Sequence, residues 1–92
     1  MTDVGADVTI RGHVQGVGYR HFCYLRARNH ALTGWVKNDR DGSVALHVEG
    51  EKNAIETLIS ELKVGPYAAA VGQIDVNWSE RSGRYSSFDV VG

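Results

Sequence analysis

The stretch Gly12-His13-Val14-Gln15-Gly16-Val17-Gly18-Tyr19-Arg20 gathers three features that favour an anion. Glycines allow successive backbone N–H groups to face one side, a helix entered at Tyr19 points its positive end the same way, and Arg20 adds a guanidinium. The amides of Gln15, Gly16, Val17, Gly18, Tyr19 and Arg20 are therefore candidate anion ligands. The Gly-Lys-Ser/Thr of a nucleotide P-loop is missing, and so is the downstream acid of a dinucleotide fingerprint. Residue types alone fit a plain glycine turn with a solvated arginine at least as well.

Asn38, closing Gly34-Trp35-Val36-Lys37-Asn38, is the second candidate, because an uncharged amide can hold a water by both donor and acceptor. An asparagine before Asp39-Arg40-Asp41-Gly42 is also what a hairpin turn calls for. Asp39 and Asp41, conceivable general bases, are accounted for by the same turn propensity. His13, His21, His30 and His47 lack the clustered spacing of a metal site. His13 and His47 are expected on the sheet surface, near each other. Cys23, the only cysteine, excludes an intramolecular disulfide, and its place on a helix stripe suits a small core residue better than a nucleophile.

These residues need elements to position them. Val8, Ile10, Gly12 and Val14 alternate with Thr9, Arg11 and His13, the period of a half-buried strand. Tyr19, Cys23, Ala27 and Ala31 recur every fourth residue, with Tyr24 beside them, and predict a helix entered through the glycine loop. A strand from Gly34 and a strand with Val44, Leu46 and Val48 inward flank the Asn38–Gly42 hairpin. Ile55, Leu58, Ile59 and Leu62 give the strongest helical signal, which Gly65-Pro66 stops. Ile74, Val76 and Trp78 share one face of a fourth strand, and a short last strand surrounds Phe88 and Val90.

Two crossovers interleaved around a hairpin predict an α+β, ferredoxin-like split βαβ sandwich: βαββαβ plus a short terminal strand, with two helices on one face of an antiparallel sheet. Thr9, Arg11, His13, Ala45, His47, Gln73 and Asp75 would lie on the open face. A single domain over 1–92 is expected, with 1–7 a flexible N-terminal segment. The 42 % hydrophobic and 23 % charged residues, and 10 Lys+Arg against 11 Asp+Glu, argue against disorder and against a polycationic nucleic-acid binder. No apolar run approaches the roughly 20 residues of a membrane helix; the lone Cys23 makes a reducing cytoplasm the expectation, with a monomer as the default.

Val14-Gln15-Gly16-Val17-Gly18-Tyr19-Arg20 together with Gly34-Trp35-Val36-Lys37-Asn38, Gly42-Ser43-Val44 and Gly50 resembles the acylphosphatase family, over about Val8 to Phe88. The resemblance implies metal-free, cofactor-free hydrolysis of the anhydride between a carboxylate and phosphate. It implies Arg20 as the phosphate-binding arginine and Asn38 as the residue orienting the attacking water, with inorganic phosphate or sulfate as competing anions. One departure is Tyr19 where phenylalanine is usual, which adds a hydroxyl that needs a partner if buried. Two other readings stand beside it: a phosphate-sensing or RNA-binding module without catalysis, and an acylphosphatase-like domain fused at the head of larger carbamoyl-transfer maturation proteins. The 92-residue length favours the free-standing enzyme.

Overall fold

Alternating apolar and polar residues build a long first strand, β1 (Asp3–His13), in the computed structural model, which describes residues 2–92. It is followed by α1 (Tyr19–Asn29), β2 (Thr33–Asn38), β3 (Val44–Glu51), α2 (Lys52–Val64), β4 (Ala70–Glu80) and β5 (Phe88–Val90). The sheet order is β4-β1-β3-β2-β5. β1 lies antiparallel between β3 and β4, and β2 is antiparallel to β3. This is the ferredoxin-like α+β fold. α1 packs on β2 and β5, α2 on β1, β3 and β4, and one apolar cluster joins helices to sheet. In α2, Ile55, Leu58, Ile59 and Leu62 are all buried, each contributing about 1.5–3 kcal/mol of apolar transfer.

Several expectations need correction. The segment 1–7 is not a loose end over its described part beyond Thr2: Asp3 to Asp7 pair with Glu51 to His47, and Val4 onward also pairs with β4. Ala6, absent from the expected alternation, is buried with Val8 and Ile10, whereas the register shifts between Arg11 and Gly12 and leaves Gly12 exposed. The sheet is mixed rather than antiparallel, because β5 runs parallel to β2. β4 and β5 occupy opposite edges, so the segment 81–87 between them crosses the open face. There Ser82 N and Oγ and Gly83 N donate to the Glu49 carboxylate, which is only 1 % exposed. Trp78 remains 43 % exposed on edge strand β4.

His13 and His47 are not neighbours: in register His13 pairs with Ala70 and His47 with Asp7. The His47 ring bridges Asp7 and Glu49 at 2.8 and 2.7 Å, and the Tyr85 ring lies against it at 5.2 Å. The α1 stripe stops at Ala27. Ala31 lies past the helix end with φ 56°, its N–H donating to Arg28 O while Leu32 N donates to Ala27 O. That pair of bonds is a Schellman ending, with alanine at the position glycine usually takes.

Candidate active site

The loop between β1 and α1 turns on Gly16 and Gly18, at φ 75° and 79°. A Cβ at either would meet nothing within 4 Å, so what requires glycine here is the left-handed backbone rather than crowding. Gly18 is the N-cap of α1, no side chain caps that end, and its first turn has no acidic residue. The opening N–H groups of α1 are thus left for an outside acceptor, at the positive end of the helix.

Gly16, Gly18, Arg20, His21, Asn38 and Val90 line one cleft of about 280 Å³, together with Tyr19 and Val14. The structure therefore brings Arg20 and Asn38 to one place from separate elements. Arg20 Nη1 donates to Gly92 O at 2.7 Å, and Asn38 N donates to the same oxygen at 3.4 Å. One acceptor oxygen can consequently lie between the guanidinium and the end of β2. Asn38 Oδ1 is buried and has no partner among the described residues. A buried acceptor left unpaired costs about 1–3 kcal/mol, and such orphans call for an explanation.

Two of the six loop residues sit differently. Val17 packs against the core, and the Gln15 side chain turns away from the cleft: its Nε2 donates to Asp39 O at 2.7 Å and Ser43 O at 2.8 Å. The Tyr19 hydroxyl finds its partner in Leu62 O at 2.6 Å, and burial raises the phenol well above its ordinary pKa. Cys23 is a buried free thiol, pushed up to about 12 by that burial, as an inert core residue should be. Asp41 serves the hairpin. Its carboxylate accepts from the hydroxyl and N–H of Ser43 and from Arg11, in that order the causes that hold it far below the usual carboxylate range.

Sequence reasoning missed His21 and the 90–92 tail as neighbours of the cleft. His21 could have been found from its place directly after Arg20 in the first helical turn. The tail carries no local signal, because only the parallel β2–β5 pairing brings it there. No group of three or more His, Cys, Asp or Glu able to hold a metal occurs among the described residues. No described helix is long and apolar enough to cross a membrane.

The acylphosphatase family model matches residues 6–90. An acylphosphatase of Salinibacter ruber is 44 % identical over 97 % of this chain and 94 % of its own length. One of Chloroflexus aurantiacus is 41 % identical over 99 % of both chains. The crystal structure of the Bacillus subtilis acylphosphatase superposes with a TM-score of 0.94, at 34 % identity, over 97 % of this chain and 99 % of that one. Full-length HypF in its phosphate- and nucleotide-bound form matches with a TM-score of 0.91 and 34 % identity, over 99 % of this chain but 12 % of that one.

Proposed function

The chain belongs to the acylphosphatase family, and we propose that Arg20 and the loop amides hold the phosphoryl group of its substrate while Asn38 orients the attacking water. The reaction is hydrolysis of the carboxyl–phosphate anhydride to a carboxylate and inorganic phosphate. Such a leaving group has a pKa near 4 to 5, as carboxyl side chains do, so no strong general acid is needed to expel it. What remains is to place the phosphoryl group, to offset charge on its equatorial oxygens and to set water in line.

Arg20 engages one acceptor within the protein, Gly92 O, leaving the rest of its planar fork for phosphate oxygens. The uncapped N-terminus of α1 and the amides from Gln15 to Arg20 complete the cradle. Asn38 Oδ1 accepts a hydrogen bond from the water. The P–O bond to the acyl group breaks as the bond to water forms, and the proton that water loses ends on a phosphate oxygen. The observation that carries this reading is the buried Asn38 Oδ1, without a partner among the described residues, in the same cleft as Arg20. A reducing cytoplasm suits the single free thiol, and a monomer is the simplest state for this site, since both of its halves come from one chain.

The test is phosphate release from a simple acyl phosphate beside a phosphate monoester, with inorganic phosphate as competitor. Fast release from the first, little from the second and competition by millimolar phosphate are expected. Equal rates on both substrates would contradict a mechanism that expels the leaving group without protonating it.

A further inference from the structure

We infer that the Gln15 side chain is a positioning residue for this reaction, clipping the anion loop to the β2–β3 turn so that phosphate and water meet at working distance. The inference rests on the roles given above to Arg20 and Asn38. Those two groups arrive on different segments: Arg20 on the first turn of α1, and Asn38 as the last residue of β2. Gln15 lies near the start of the loop that leads into α1, and its amide Nε2 donates across to two main-chain carbonyls of the turn, Asp39 O at 2.7 Å and Ser43 O at 2.8 Å. Asp39 is the residue directly after Asn38, and the held carbonyl lies in the Asp39–Arg40 peptide, so this fork anchors the turn one peptide beyond the Asn38 backbone and limits how far Asn38 can shift.

The turn does not need Gln15 to close. Asp39 N donates to Ser43 O at 2.9 Å, Gly42 N to Asp39 O at 3.2 Å, and the Asp41 carboxylate holds Ser43. The two bonds from Gln15 therefore add register between segments rather than local turn structure. The ion pair that joins β1 to the turn, Arg11 to Asp41 at 3.0 Å, has both partners about half exposed, where water and salt weaken an ion pair. Gln15 is half-buried and neutral, so its tie is not screened in that way. Ordering so long a side chain carries an entropy cost, which a loop serving only through its backbone amides would not incur.

The experiment is a double-mutant cycle of Gln15→Leu and Asn38→Ala, reading kcat on an acyl phosphate and the inhibition constant of inorganic phosphate. Gln15→Leu is expected to lower kcat about tenfold or more, the scale of a sub-ångström to 1 Å misplacement, while phosphate inhibition stays nearly unchanged. In the Asn38→Ala background the same substitution should cost little more, since the group it positions is gone. An undiminished loss in that background, a parallel loss of phosphate affinity, or a Gln15→Leu enzyme with full kcat would each overturn the inference. Full turnover in Asn38→Ala alone would instead overturn the role of Asn38, and the positioning role with it. Should Gln15→Leu fail to fold, Gln15→Met, also unable to donate but closer in shape, is read by the same criteria.

Discussion

Arg20 and Tyr19 are adjacent in sequence and do unlike work, because one side chain faces the cleft and the other is buried against α2. Arg20 would hold the phosphoryl group before and during reaction, so Arg20→Ala should raise KM and the phosphate inhibition constant as well as lower kcat. Arg20→Lys restores the charge without the two-pronged geometry and should recover only part of the loss. Steady-state kinetics with phosphate as competitor checks both. Tyr19 links the start of α1 to the end of α2 through Leu62 O. Tyr19→Phe leaves that carbonyl unpaired and is expected to cost about 1–2 kcal/mol, measured as a shift in the urea midpoint. The hydroxyl was visible in the sequence as an unmet need; which carbonyl meets it depends on how the two helices pack.

The elements were legible where the apolar period was regular. The α2 stripe of Ile55, Leu58, Ile59 and Leu62 emerges with every residue buried, and the Val44, Leu46 and Val48 face of β3 likewise. They were illegible where a partner far along the chain decides the outcome. Asp3 to Asp7 form a strand because two neighbouring strands take their hydrogen bonds, and Glu49 is buried because the 81–87 segment crosses above it. That crossing gives stability a pH dependence. Burial alone would raise the Glu49 pKa, but the bonds from His47, Ser82 and Gly83 pull it from the ordinary 4.5 to about 2. Its stabilising contribution is thus present above the unfolded value and lost as pH falls toward 2. For His47 burial works the other way, yet hydrogen bonds to Glu49 and Asp7 raise it above 6.5. That contribution is complete below 6.5 and lost as pH rises through the raised value. Urea unfolding across pH should therefore show loss on both sides, and Glu49→Gln should flatten the acid side. At the end of α1, Ala31 holds a left-handed conformation that costs an L-residue about 1–2 kcal/mol. Ala31→Gly should raise the urea midpoint without changing the m-value.

At the scale of the molecule, the fold delivers two halves of one cleft from opposite sides of a crossover. The β1–α1 loop and the first turn of α1 bring Gly16, Gly18 and Arg20, and β2 brings Asn38. Both motifs were legible as residue strings, and their meeting follows from the β1-β3-β2 order, which places β2 where α1 covers it. The 90–92 tail beside Arg20 was not legible, because nothing local marks a parallel edge pairing. A site built from amides, a guanidinium and a carboxamide should work without a divalent ion: dialysis against a chelator is expected to leave activity intact, and restoration by an added metal would contradict that. The central claim is that holding the phosphate and placing the water belong to separate halves of the cleft. It is tested most directly by measuring inorganic phosphate affinity and kcat side by side in a folded Asn38→Ala protein. Affinity should stay nearly unchanged while kcat falls about a hundredfold or more, the scale of one lost preorganised contact; a folded variant that keeps most of its turnover would contradict the account.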